Sequence, residues 1–274
     1  MRLWIDTDIG QNVDDAVALL AAVAHPAVDL VGVSTVGSDP ERRAAVTVGL
    51  LAAAGVDLGA VAVCAGAAGA GTEVGDSAAE DGRTAEVVEA VAASGAEALL
   101  AIGPLTNVAA VTAAGVRPAE VTIMGGALRP VEHRGELRAV EHNFGADAGA
   151  AATVLSVPGT VVVPLDATVA TRLDDRFVLK LVATAPVLEP MVQAWVAQWG
   201  EIVLHDPAAL LVAAGDGSEL GRFERRHLLV EPDGRLIDGG PGAAGTVHDV
   251  VTSLFGSAVV ASVLALLADL KLTA

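Results

Sequence analysis

Strand-length and helix-length apolar runs take turns along most of this chain, and that alternation constrains its fold more than any single residue does. "RLWID" is followed by a helical pattern from Val13 to His25, "DLVGVST" by one from Glu41 to Ala54, and "AVAVCA" by one from Thr84 to Ala93. "EALLAI" precedes a helix after Pro104, "VTIMGG" precedes one from Ala146 to Leu155, and "TVVVPL" closes the series. Runs of this kind pack as βαβ crossovers, which give a parallel sheet buried on both faces. The 274 residues contain no Gly/Ser linker or abrupt shift in composition. The fold class expected is therefore α/β, a single domain over residues 1–274 with an open, mostly parallel sheet covered by helices on both faces. The later part reads as more helical, with two short strand-like runs around "RRHLLVE" and "GRLID" and a buried terminal helix from Ser257 to Leu270.

In such sheets, sites open where strands end and helices begin. The first of these junctions, "WIDTDIGQNVDDAVALL", places Asp6, Asp8, Asp14 and Asp15 within ten residues. Helix capping uses one or two acids, not four. Like charges this close call for a cation or a proton. Neighbouring residues on a helix point about 100° apart, so Asp14 and Asp15 are expected to divide their roles, one toward a metal and one toward a ligand. An all-oxygen donor set without cysteine or clustered histidine favours Ca²⁺ or Mg²⁺ over zinc.

Composition narrows the partners. A net charge of −18, with only Lys180 and Lys271 as lysines against 34 acidic residues, argues against a nucleic-acid polymer or an anionic membrane surface. A neutral small molecule or a cation fits better. The single cysteine, Cys64, excludes an intrachain disulfide framework and reads as a buried small residue. The N-terminus shows no basic and apolar leader pattern, so a cytoplasmic location is the default expectation.

The acidic block "DTDIGQNVDDAVAL" resembles the N-terminal signature of the nucleoside hydrolases, of the inosine-uridine-preferring N-ribohydrolase type. "AVDLVGVSTVGSD", "LLAIGPLTNVAAV", "VTIMGGAL", "EHNFGADAGAA", "VPLDATVATRL" and "LHDPAALL" are similar to that family's later motifs, in order, over nearly the whole chain. The resemblance implies a Ca²⁺-dependent hydrolysis of a nucleoside's N-glycosidic bond, and dimeric or tetrameric assembly. It also implies roles. Asp8 would ligate the metal and take the proton of the attacking water. Asp15, Asp206 and the backbone carbonyl of Thr106 would complete the cage. Asp14, Asn143 and Glu141 would contact sugar hydroxyls, with Met124 packed nearby, and His205 would donate a proton to the leaving base. Asp206 and Pro207 also suit a helix start, with Asp206 at the cap.

Departures from the family pattern affect the substrate end. "TVGSD" replaces a common Gly-Asn, so Ser38 or Asp39 is expected to stand in for the missing amide. The segment "ALRPVEHRGELRAV" lacks another Gly-Asn and carries Arg129, Arg134 and Arg138, read either as a solvated charged loop or as a site for an anionic 5′ group. There is no tyrosine, and the loop "GAAGAGTEVGDSAAEDG" lacks the histidine often found there. Trp195, with Trp199 four residues later, is a candidate base contact or a core residue. Two other classes compete. "WIDTDIG" also contains the strand-Asp-x-Asp of Mg²⁺-dependent phosphohydrolases of the haloacid dehalogenase type. A non-catalytic nucleoside- or ribose-binding protein on the same scaffold is the other.

Overall fold

The computed structural model describes residues 1–10, 12–69, 82–133, 135–240, 245–270 and 272. Residues 70–81 of the loop "GAAGAGTEVGDSAAEDG", and Arg134, lie outside them. The chain folds as β1 (Arg2–Thr7), α1 (Val13–Ala24), β2 (Asp29–Thr35), α2 (Pro40–Ala53), β3 (Ala62–Ala65), α3 (Arg83–Ser94), β4 (Ala98–Ala101) and α4 (Thr106–Ala113). Then come β5 (Glu120–Met124), the hairpin β6 (Val131–His133) and β7 (Glu136–Arg138), α5 (His142–Ala146), α6 (Ala148–Leu155), β8 (Val161–Val163) and α7 (Leu165–Thr168). The remainder is α8 (Asp175–Thr184), α9 (Glu189–Trp199), α10 (His205–Ala213), α11 (Gly217–Leu220), β9 (Gly221–Val230), β10 (Leu236–Asp238), β11 (Thr246–Leu254) and α12 (Gly256–Asp269).

Nine strands form one sheet in the order β10-β9-β11-β8-β5-β4-β1-β2-β3. The stretch from β3 to β11 is parallel, and β9 and β10 add an antiparallel edge. This is the single α/β domain expected from the alternation of runs. The β6–β7 hairpin stands apart from the main sheet, in a segment that reads as loop from its sequence, and β11 is a strand beyond those the apolar runs suggest.

Period-two alternation explains the centre. Leu3 and Ile5 pack into one hydrophobic core, and Trp4 between them packs into the other, all fully buried. Each such side chain contributes about 1.5–3 kcal/mol by leaving water. The first core is covered by α1, α9, α10 and α12, the second by α3, α4 and α6. Gly32 on β2 makes room for the indole, since a Cβ there would stand 2.1 Å from Trp4 Cζ3. Cys64 on β3 is half-buried rather than fully enclosed.

The chain passes from β1 to β2 on one side and returns through β3 to β4 on the other side of β1. The carboxyl ends of β1 and β4 thus flank a topological switch point, the usual place for a ligand in an open α/β sheet. Close approach there depends on Gly103, where a Cβ would lie 2.8 Å from the Asp8 backbone nitrogen.

Candidate active site

A cavity of about 550 Å³ opens above this switch point. Asp8, Asp14, Asp15, Met124, Glu141, Asn143, Trp195, His205 and Asp206 all line it, so nine of the residues singled out from the sequence meet at one place. Its size lies within the usual range for small-molecule sites.

The acidic end comes from two helix starts. Asp14 and Asp15 lie in the first turn of α1, and Asp206 in the first turn of α10. Leu204, not Asp206, occupies the cap position of α10. One carboxylate oxygen from each of Asp14, Asp15 and Asp206 lies within 4.8 Å of the others, and all three residues are buried. Although neighbouring helical residues point about 100° apart, the side chains of Asp14 and Asp15 reach the same space as Asp206. The expected trio of carboxylates was Asp8, Asp15 and Asp206; Asp8 lines the cavity beside the cluster and is not part of it.

Electrostatics define what this cluster needs. Two charges 4.8 Å apart repel by roughly 3 kcal/mol at an effective dielectric constant of about 20, whereas a helix N-terminus returns only about 0.3–1 kcal/mol. Burial, joined by the charges of neighbouring acids, holds the carboxyls of Asp15 and Asp206 well above the usual range. For Asp15 the neighbours are Asp8 and Asp14, and Thr7 Oγ1, which donates to Asp15 Oδ1 at 2.5 Å, works in the opposite direction. Besides burial, the charges of Asp14, Asp15 and Asp8 act on Asp206 together, and a cation among these carboxylates would offset their repulsion. The donors are all oxygen, so they fit a hard divalent ion.

Burial also raises Asp8, against the nearby charges of Arg43 and His142. Arg43, on α2 and buried, carries no functional signal in the sequence. Its Nη1 donates to Ile9 O at 2.8 Å and its Nε to Ser38 O at 3.0 Å, tying the loop after β1 to the loop after β2. His142 Nε2 lies 4.0 Å from Asp8 Oδ2, a neighbour that its place between Glu141 and Asn143 does not suggest.

Asp6 differs from the other three acids of its motif. It is buried in β1, where Ser34 Oγ and Asn107 Nδ2 donate to its Oδ1 at 2.5 and 2.8 Å. Burial, opposed by these hydrogen bonds, lifts its pKa from 3.8 to about 7. Asn107 also donates to Thr35 O and accepts from Ala67 N, so this group joins the ends of β1, β2 and β3.

At the opposite wall, Glu141 caps α5 and accepts from the backbone N–H groups of Gly126, Asn143 and Phe144. Burial raises its carboxyl, and those donors offset part of the rise. Asn143 Nδ2 donates to Ile102 O and Met124 O, which fixes the amide with its oxygen as the remaining acceptor. His205 Nδ1 lies 2.7 Å from Thr168 Oγ1. Thr168 Oγ1 also lies 3.1 Å from Leu165 O, so the hydroxyl that holds Nδ1 is itself anchored on α7. Trp195 and Trp199 also line the cavity, their ring centroids 5.9 Å apart.

Two expected residues lie elsewhere. Asp39 is exposed and caps α2 by accepting from Arg42 N, in a left-handed conformation at φ 58°. Thr106 opens α4, its hydroxyl donating to Asp147 Oδ2, and it is not among the residues lining the cavity. Of the arginines, Arg129 is exposed and paired with Asp166, while Arg138 lines the cavity and pairs with Glu136.

Solved structures establish the fold first. A plant nucleoside hydrolase superposes with a TM-score of 0.77 at 18% identity, over 97% of this chain and 98% of its own. A purine-preferring ribonucleoside hydrolase from Gardnerella vaginalis gives 0.77 at 20% identity over 98% of both chains. An inosine-uridine preferring nucleoside hydrolase from Bacillus anthracis gives 0.76 at 17% identity, over 98% of this chain and 99% of its own. The fold is thus the nucleoside hydrolase fold. The family model for inosine-uridine preferring nucleoside hydrolases matches residues 3–253, and the chain belongs to that family of enzymes acting on N-glycosyl bonds. A comparison with curated proteins gives no match. The phosphohydrolase alternative is overturned by this membership, and the structure gives the reason: Asp6 of the Asp-x-Asp pair is enclosed by Ser34 and Asn107 instead of facing a substrate. The non-catalytic alternative gives way to the same membership.

Proposed function

We propose that the protein hydrolyses the N-glycosidic bond of a ribonucleoside to ribose and free base, with Ca²⁺ held by the acidic cluster. The observation that carries this reading is the convergence of Asp14, Asp15 and Asp206 inside a cavity also lined by three histidines and two tryptophans. When bound, the ion offsets the carboxylate charge, holds the sugar diol and lowers the pKa of water. Asp15 and Asp206 are its principal ligands. Asp8, at the rim of the cluster, takes the proton of the attacking water. The backbone carbonyl of Thr106 is a further ligand, on the resemblance of "GPLTN", whereas Asp39, the exposed cap of α2, is given no contact to the substrate.

The reaction passes through an oxocarbenium-like state, so positive charge develops on the ribose. Asp14 accepts from a ribose hydroxyl while adding negative charge near that centre. The oxygen of Asn143 accepts from a second hydroxyl, Glu141 addresses the 5′ end, and Met124 supplies an apolar floor. His205 gives a proton to the departing base through Nε2, and Trp195 packs against the base. On the family resemblance, the assembly is a homodimer or homotetramer.

A panel of purine and pyrimidine ribonucleosides, assayed by mass spectrometry for free base and by reducing-sugar release, tests this reading. Equal amounts of ribose and base are expected, and a chelator should stop their formation. Tight binding with every nucleoside returned intact would contradict it.

A further inference from the structure

At and behind one wall of the cavity stands a group of charged and imidazole side chains that the proposed roles do not use. His133, at the end of β6, is buried and lines the cavity. Its ring stands edge-on to that of His205, with centroids 5.1 Å apart and planes at 84°. Behind it, His133 Nδ1 lies 3.8 Å from Glu201 Oε1, and Glu201 Oε2 lies 2.6 Å from Arg172 Nη1.

The backbone explains why these side chains meet. Residues 171–173 run antiparallel to residues 202–204: Leu173 N donates to Ile202 O, Leu204 N donates to Thr171 O, and Arg172 bridges Val203. This pairing places Arg172 beside Glu201 and fixes the segment that leads directly into His205. The guanidinium, a permanent cation, holds one carboxylate oxygen of Glu201 while the other faces the imidazole.

We propose that Arg172, Glu201 and His133 act as a positioning relay for His205, holding its ring so that Nε2 meets the leaving base. The inference rests on the hydrolytic reading given above and extends it to residues on other elements. His205 is gripped on two sides, by Thr168 at Nδ1 and by the edge-on ring of His133. In the reaction, the C1′–N bond breaks with its electron pair going to the base, and the protonated His205 neutralises that nitrogen. Water adds to C1′ and gives its proton to Asp8, which releases it to solvent as His205 takes one up, so atoms and charge balance. His133 contributes by orientation; it forms no bond to the sugar.

The test separates this role from general support of the fold. Glu201→Gln and His133→Phe are each assayed on a ribonucleoside, which needs a proton delivered to its base, and on 4-nitrophenyl riboside, whose nitrophenolate leaves without one. Because a positioned acid supplies roughly 10²–10⁴-fold, each variant is expected to lower kcat on the ribonucleoside by at least about tenfold while KM stays within about threefold. On the nitrophenyl riboside kcat should stay within about twofold of wild type. Equal losses on both substrates, or no loss on the ribonucleoside, would overturn the relay. Glu201→Gln keeps size and shape, so it remains informative if His133→Phe disturbs packing. Failure of the wild-type protein to cleave either substrate would remove the hydrolytic reading itself and the relay with it.

Discussion

The two ends of the cavity are built by different means. The acidic end is made at the sheet's switch point, from the loop after β1 and the first turns of α1 and α10, all held by fully buried strands and helices. The opposite end is made from the β6–β7 hairpin, α9 and the start of α10, with Trp199 40% exposed. A rigid scaffold holds the groups whose mutual repulsion must be overcome, and more peripheral elements hold the groups that meet the base. The acidic end should therefore govern whether the reaction occurs at all, and the other end how well a given base leaves.

The largest effect is expected at the acidic end. Asp206→Asn or Asp15→Asn should abolish calorimetric cation binding and lower kcat by about 10³-fold or more, since the charge-stabilising group is lost. His205→Gln should lower kcat on ribonucleosides by about 10²-fold with cation binding intact; loss of cation binding in that variant would erase the distinction between the two ends. Arg43→Met should weaken cation binding by about tenfold, as supporting residues around metal sites commonly do, through release of the loop it ties at Ile9 and Ser38. Asp39→Ala, remote from the cavity, should leave kcat and KM within about twofold and cost roughly 1 kcal/mol of stability through its lost cap.

The raised carboxyls of Asp15 and Asp206 also make a stability prediction with a definite sign. In the cation-free protein these groups bind protons more tightly folded than unfolded, so stability falls as pH rises above the ordinary carboxylate value. Asp6 adds to the same trend between 3.8 and about 7. Cation binding needs the deprotonated cluster. The increase in Tm on adding Ca²⁺ should therefore be small near a pH of about 5 and grow toward about 8, which scanning calorimetry across that range would show.

The fold and the acidic end were legible in the sequence because both follow from local rules. Alternating runs specify βαβ units, and four acids at one strand-to-helix junction exceed what a helix start uses. Their partition was not legible. Asp6 looks like its neighbours in sequence, but its partners Ser34 and Asn107 come from β2 and α4, so only the folded register shows it as a structural group. Asp14 and Asp15 converge because α10 brings Asp206 to them, a contact between distant parts of the chain that helical geometry alone does not contain. His133 and Glu201 were hidden for the same reason: one lies in a segment that reads as charged loop, the other in the connection between α9 and α10, and their meeting depends on the pairing of residues 171–173 with 202–204. Arg43 gave no signal beyond being one of two adjacent arginines on a helix.

The central claim is that the clustered carboxylates exist to hold a divalent ion. Titration of Ca²⁺ into chelator-treated protein by isothermal calorimetry, for wild type and Asp206→Asn, addresses it directly. One ion per chain with proton release in the wild type, and no measurable heat in the variant, is the expected result. Equal binding by both proteins, or none by either while nucleoside cleavage continues in chelator, would contradict the claim.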